Sequence, residues 1–588
     1  MVPLYSSFHC PIFLHSVKSH RLLSGAQIIG SGSVRRKLGE SRSFMRHSVR
    51  ALLFLIGAMG SIRANGQSAP PASPRITINL SEGVPNFVSN AAATDPNAAL
   101  PQSNWWYENN EDSTTFAASS YVEVAAPSGG GPSCGSTLSA PNWIQVGIPN
   151  DANTWRTFIN QASGGGQGSL CGQNNWYRLH FKVDPAYANS KIMVEFEGAH
   201  TGAQVYINGT LLTGISAVNA NAQASHVVGF IPFIIDITPY VKADGSTDNV
   251  LAVRSSRGNT WFEDPQFSEV FRFGQAMAGL FRPVKMFITN KVHIPVNVYS
   301  NQKTWGTYVA TVSEVPASSG TATASSAVIQ VETNVLNENT TSQTVTLTTQ
   351  IVDANGNVVA TGAPLTETVA PMTPGNFPST PTPMFSQQIT VNNPTLWYPN
   401  NSIYGTPYMY TVNHIVSVNG TVVDVAQSPL GIRTITWDKN YPYFNGNAMN
   451  LWGGSGRYDY PGLGSSVPEE QQWRDLSLLA AEGGNIYRPG HSTSSEEFVN
   501  AADAYGIMVD QPSGDDEEAF ASPTADSVTL KEELHRDMII RDRSHRRFST
   551  GSRITAPWKN PSVRLFCPLT RCGIPSIPAS QPTARLTP

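Results

Sequence analysis

The sequence predicts a multidomain protein of the β plus α/β class: sheets packed face to face, followed by a parallel α/β unit. Three observations lead there. Short strands with alternating apolar and polar residues, separated by Asn-Gly and similar turn dipeptides, fill most of residues 76–436. From Tyr443 to Asp510 the pattern changes to strand, helix, strand, helix, strand, as parallel strands joined by crossover helices require. And 588 residues are too many for one core and suggest three or four domains. Composition excludes other classes. A net charge of −4 with 14% charged residues offers no basic surface to nucleic acid. No run reaches the ~20 apolar residues that span a bilayer.

In chain order, residues 1–44 are basic and without periodicity and read as a doubtful upstream extension. At Met45 a new beginning appears. Arg46, His47 and Arg50 precede the apolar run "ALLFLIGAMG", and Ala64-Asn65-Gly66 closes it with small residues. These are the three regions of a secretory signal peptide, here residues 45–66, and they predict a secreted or periplasmic protein that leaves the membrane once cleaved. Residues 67–75 form a Pro/Ser/Ala linker.

Residues 76–292 read as a β-sandwich. In "WYRLHFKV", Tyr177, Leu179, Phe181 and Val183 share one face, and Arg178, His180 and Lys182 the other. "KIMVEFEGAH", "AQVYINGTLL", "FIPFIIDITPYV" and "NVLAVRSS" follow, with Asn208-Gly209 as a hairpin turn. Trp105, Trp106 and Tyr107 suit either core packing or a sugar-stacking platform, with core packing favoured. Residues 293–436 form a second sandwich, with alternating Val and Ile strands between Asn- and Gly-rich turns.

Of five cysteines, Cys134 and Cys171 are the two in the exported β region. They are expected to form a disulfide across a Gly-rich insertion, stabilising it by roughly 3–4 kcal/mol. Cys567 and Cys572 lack a second ligand pair, and the 12 histidines show no metal-ligand spacing, so no metal site or cofactor is predicted.

The α/β stretch opens on a tight turn, Phe444-Asn445-Gly446-Asn447. A helix then starts with Pro468 as its first residue and Glu469 and Glu470 at its positive end. Trp473, Leu476 and Ala480 form its inner face, and Gly483-Gly484 stops it. A strand over 485–488 leads to a second helix that begins near Ser494 or Ser495. This helix turns Phe498, Ala501 and Tyr505 inward and ends at Gly506, before a strand over 507–509. The loops after the strands hold Arg457, Tyr458, Asp459, Arg488, His491, Asp510 and Gln511. A later helix, "LKEELHRDMIIRDRSH", carries Leu534, Met538 and Ile539 inward.

The phrases "YFNGNAMNLWGGSGRYDYPGLG", "VPEEQQWRDLSLLAAEGGNIYRPGH" and "EEFVNAADAYGIMVDQ", in this order, resemble the start of the (βα)8 barrel of glycoside hydrolase family 2. This is the β-galactosidase, β-mannosidase, β-glucuronidase and exo-glucosaminidase group. The resemblance implies that residues 76–292 are the family's jelly-roll β-sandwich and residues 293–436 its immunoglobulin-like β-sandwich. Residues 437–545 would be the first part of an incomplete TIM barrel. It implies a secreted glycosidase that hydrolyses terminal β-linked sugars in oligo- or polysaccharides.

Arg457, Asp459 and His491 match loop positions that line the family's sugar pocket, and Arg488 matches an arginine three residues before that histidine. Each is also compatible with a buried structural ion pair. Tyr458-Asp459 stands where many β-galactosidases have His-Glu, so the sugar and its linkage stay open.

Retaining glycosidases need two carboxyls ~5–5.5 Å apart. In the family the acid/base follows a phrase like "RDRSH", but past His545 the resemblance stops. Residues 546–588 are rich in Arg, Pro, Ser and Thr without a barrel pattern. They are expected to be a shifted reading frame, because one added base after the His545 codon can turn them into barrel-like sequence. Neither catalytic carboxylate is assigned; Glu517 and Glu518 lie one strand too early. The chain as written is predicted to be inactive. The alternative is a non-catalytic carbohydrate-binding or scaffold protein built from the two sandwiches.

Overall fold

The computed structural model describes residues between 74 and 548, apart from internal stretches of which the longest are 89–101, 124–142, 152–173, 213–224, 257–278 and 513–524. Residues 45–66, read above as a signal peptide, most of the expected linker, Cys134, Cys171 and the tail past Phe548 lie outside the described residues.

Two mostly antiparallel sheets make the first sandwich. One orders Ile76–Asn79, Val284–Thr289, Lys191–Phe196 and Phe233–Asp236. The other orders Thr210–Leu212, Gly202–Ile207, Asn249–Ser256, Asn174–Val183, Trp105–Asn109 and Ile144–Val146. Alternation along the strands fills the space between them. Val194, Phe196, Met286 and Ile288 come from the first sheet, and Leu179, Phe181, Val205 and Leu251 from the second. Tyr177, Leu179, Phe181 and Val183 are buried as their spacing predicts. The opposite face does not stay wet, however. Arg178 is fully buried because the segment around Thr114–Ala117 folds over it. Its guanidinium contacts Glu123 and donates to the carbonyls of Ala118 (3.2 Å) and Tyr121 (3.1 Å). Trp105 and Tyr107 are core residues, and Trp106 packs with Phe116, Trp143 and Trp176.

The second sandwich pairs a sheet of Thr307–Pro316, Ala324–Thr333 and Phe385–Asn392 with one built from Gln343–Val352, Tyr410–Val418 and Thr421–Leu430. Ile329, Val331 and Ile389 meet Ile351 and Val412 between them. Two short strands past residue 292, Val298–Tyr299 and Gln302–Lys303, extend the first sandwich's sheet instead. Tyr299 explains this: it is buried with Met193 and Ile234 of that sheet and Leu336 of the second sandwich, filling the junction.

The parallel unit has four strands in the order β1 (Gly453–Arg457), β2 (Ile486–Gly490), β3 (Met508–Asp510) and β4 (Arg547–Phe548), all pointing the same way. Its helices are α1 (Glu469–Ala481), α2 (Glu496–Tyr505) and α3 (Ala525–Asp542). Tyr487 and Val509 face α1 and α2, where Leu476, Phe498 and Ala501 pack. Ile486 and Met508 meet Trp397 and Phe444.

Several boundaries differ from the sequence expectation. Pro468 is the cap of α1 rather than its first residue, since its carbonyl already accepts from the Gln471 amide at 3.0 Å. Asn485 is not in β2. Its side chain accepts from the Trp452 amide (2.8 Å) and donates to the Asn450 carbonyl (3.0 Å), serving the connection to β1. The start of α2 agrees: of the two serines expected there, Ser495 is the cap, accepting from the Phe498 amide at 3.2 Å. In α3, Leu534, Met538 and Ile540 are buried and Ile539 half-buried; Leu534 and Met538 belong to the first sandwich's core. β4 lies in the stretch where no barrel pattern was expected. Backbone pairing with Val509 and Asp510 needs only extended chain, not an apolar pattern.

Gly506 ends α2 in the left-handed conformation, φ +72°, and its carbonyl accepts from the Asn400 amide at 2.8 Å. An added Cβ would stand 2.6 Å from that amide nitrogen and 2.4 Å from Pro407 Cγ. Gly506→Ala is therefore expected to cost about 3 kcal/mol, combining left-handed strain with overpacking. Urea unfolding checks this; a loss below ~1 kcal/mol would show that the neighbouring loop gives way.

Candidate functional site

Parallel α/β units carry their chemistry where the chain leaves the carboxyl ends of the strands. Here those ends are adjacent. Arg457, the last residue of β1, is the register partner of Gly490, the last of β2. Arg488 lies within β2 opposite Ser455 and is half-buried, and Asp510 closes β3, also half-buried. The backbone thus brings Arg457, Arg488 and Asp510 to one end of one sheet. Tyr458, Asp459 and His491 follow directly after β1 and β2 but lie outside the described residues, as do Glu517 and Glu518. Among the described residues no group of His, Cys, Asp and Glu side chains is arranged to hold a metal ion.

What the structure describes in detail is the frame beneath these loops. After β2, Thr493, Ser494 and Ser495 are all buried. Two arginines from different parts of the chain clamp consecutive carbonyls there. Arg282, from the first sandwich, donates to the Thr493 carbonyl, and Arg541, near the end of α3, donates to that of Ser494 at 2.9 Å. The Thr493 hydroxyl donates to the Pro512 carbonyl at 3.1 Å, and the Ser494 hydroxyl lies 2.8 Å from the amide of buried Gln511. The loops after β2 and β3 are therefore one hydrogen-bonded piece. After β1, Ser465 is buried and held by Asp151 of the first sandwich.

The "RDRSH" phrase supplies the rest of the frame. Arg541 pairs with Asp542 through both carboxylate oxygens. His545, buried at the end of the turn, meets the Asp503 carboxylate of α2 at 3.0 Å. Burial works most strongly against a charged ring, yet the Asp503 hydrogen bond and the carboxylate charges of Asp503, Asp542 and Glu496 together outweigh it and hold His545 above the ordinary histidine range. Arg543 turns the other way, onto the second sandwich. In the sequence this phrase reads only as a landmark before the position of the family's acid/base. Its alternating Arg-Asp-Arg pattern at a helix end was a signal of ion pairing. Its partners lie up to 238 positions away, beyond any local pattern. Asp151 and Arg282 carried no signal at all.

Comparison with known proteins places this architecture. The family model described as glycosyl hydrolases family 2 matches residues 307–433, the second sandwich. A β-glucuronidase of Formosa agariphila is 30% identical over 412 residues, covering 68% of this chain and 38% of that protein. A β-galactosidase of Bacteroides ovatus is 29% identical over 437 residues, covering 71% of this chain and 44% of its own length. Among solved structures, a β-glucuronidase from glycoside hydrolase family 2 superposes with a TM-score of 0.62 at 25% identity, over 82% of this chain and 43% of that one. The chain spans less than half the length of each of these relatives. The likeness runs far past the stretch that the family model matches and takes in most of the described strands. By sequence and by architecture alike, this chain belongs to glycoside hydrolase family 2.

Proposed function

We propose that the chain is the sugar-binding part of a glycosidase acting on terminal β-linked sugars, and that β1 to β4 are the opening strands of a (βα)8 barrel. The observation that carries this reading is the run of four parallel strands in sequential order, with helices crossing over between them, Arg457 and Asp510 closing β1 and β3, and Arg488 within the neighbouring β2. Arg457, Asp459, Arg488 and His491 hydrogen-bond the sugar hydroxyls. The relatives named above support a β-glucuronide or β-galactoside as the substrate class.

Binding and turnover separate in this reading. Retaining hydrolysis needs a proton donor and a nucleophile ~5–5.5 Å apart. The family pattern sets both beyond the fourth strand, and the sequence after His545 departs from that pattern. The 588-residue polypeptide is expected to bind an aryl β-glucuronide or β-galactoside weakly and saturably in calorimetry, to lose that binding in His491→Ala, and to release no aryl alcohol. Measurable turnover would overturn the inactive assignment. Absence of binding to either sugar would leave the sandwiches as a scaffold.

A further inference from the structure

We propose that Asp151 and Arg282, both in the first sandwich, are positioning residues for the loops that leave β1 and β2. Through these two side chains the sandwich sets the shape of the sugar site. The inference rests on the reading that the carboxyl ends of the parallel strands carry that site.

Asp151 is almost fully buried, and one of its oxygens, Oδ2, accepts from both the amide (2.9 Å) and the hydroxyl (2.8 Å) of Ser465, 314 positions away. A charged acceptor with two short donors is among the stronger hydrogen-bonding arrangements, roughly twice a neutral one. It grips the far end of the segment that begins at Arg457. Asp151 is itself held from behind. The neighbouring Asn150 donates its amide to the Leu280 carbonyl (2.7 Å) and accepts from the Tyr177 hydroxyl (2.9 Å), both in the sandwich core.

Leu280 leads directly to Arg282, the second contact. Its guanidinium lies against the rings of Phe281 and Phe230, 5.1 and 5.7 Å from their centroids. One nitrogen donates to the Phe230 carbonyl at 2.8 Å, so the planar group is fixed on its own side before the other nitrogen reaches the Thr493 carbonyl. Thr493 passes the constraint to Pro512 after β3. Two residues joined through the Asn150–Leu280 backbone bond therefore anchor three successive loops from outside the parallel sheet. Burial alone would have been served by apolar residues. Charged groups aimed at single backbone atoms fix position.

The test uses the full chain and reads local order and ligand affinity separately. In Asp151→Ala, hydrogen exchange of the peptide across Ser465 is expected to speed up about tenfold, while strand Asn174–Val183 keeps its protection. Asp151→Asn, which retains an accepting oxygen but not the charge, should exchange at a rate between those of the alanine variant and the parent. Affinity for an aryl β-glucuronide or β-galactoside should fall about tenfold in Asp151→Ala and be restored in part in Asp151→Asn. Should Asp151→Ala not fold, Ser465→Ala deletes one of the two bonds and should show a smaller increase at the same peptide. Unchanged exchange at Ser465 overturns the proposal, as does an asparagine variant as loose as the alanine one. If the parent binds neither sugar, the proposed function falls, and exchange alone decides whether Asp151 positions the loop.

Discussion

Replacing Lys285 by methionine is expected to remove about 3 kcal/mol of folding stability, the cost of leaving a buried carboxylate without its partner. This is the lower end for buried pairs, chosen because Lys285 is itself 27% exposed. Glu195 and Glu197 stand two residues apart and share the outer face of their sheet, while Val194 and Phe196 fill the core on the other. Both glutamates are buried. Lys285 is the register partner of Glu195 on the neighbouring strand, and its ammonium contacts Glu197. Burial pushes both carboxyls up, Glu195 to about 8, against the pull of Lys285; Glu496 of α2 adds to the push, and Arg75 and Arg282 oppose it. The Lys285 ammonium is correspondingly held charged by the two glutamates. Pairing Lys285→Met with Glu197→Gln should recover most of the loss, because the stranded charge is then gone.

The same cluster has a pH signature. A carboxyl that keeps its proton more tightly in the folded chain adds stability in full below its ordinary value of 4.5 and loses it as pH rises through about 8. Urea midpoints should fall between pH 5 and 9, and Glu195→Gln should flatten that fall. A flat profile in the parent would show that Glu195 is ionised throughout.

The second large effect is expected at Arg543, where alanine should also cost about 3 kcal/mol. Its guanidinium stacks on Trp305 at 4.1 Å and on Tyr308 at 5.1 Å, and donates to the carbonyls of Trp305 and of Thr307 (3.2 Å). Burial brings its pKa down to about 10, so it remains charged at neutral pH. Nearby, Arg433 donates to the His545 carbonyl at 3.3 Å from the second sandwich. Together they fasten the end of α3 to that sandwich, and with it Arg541 and Asp542 beneath the loops. Lysine should not rescue Arg543, since a point ammonium cannot lie flat against the Trp305 and Tyr308 rings. Equal stability of Arg543→Lys and the parent in urea unfolding would show that charge alone matters.

Which parts of this protein were legible in the sequence follows from the range of the forces involved. Alternation with period two announced Tyr177 to Val183 as a core strand, because pleating alone decides which face a residue takes. The Asn445-Gly446 turn announced itself equally, with both residues at positive φ as such hairpins require. The α2 caps and the direction of the parallel strands also came from local pattern, to within a residue or two. Arg457 and Arg488 were singled out by ordered phrases, and the backbone places them on neighbouring strands.

Tertiary structure decided what happens where elements meet. It buried Arg178 on a face that reads as solvent-exposed, and drew Val298–Tyr299 back to the first sandwich. It also extended the parallel sheet through Arg547–Phe548 without any apolar pattern. It turned Asp151 and Arg282 into anchors for loops hundreds of residues away, and carried Arg543 of the "RDRSH" phrase onto the second sandwich. Periodicity records which way a side chain faces along its own strand or helix. Charged groups buried against single distant carbonyls and amides depend on how whole layers stack, and only the folded chain brings those partners within 3 Å of one another.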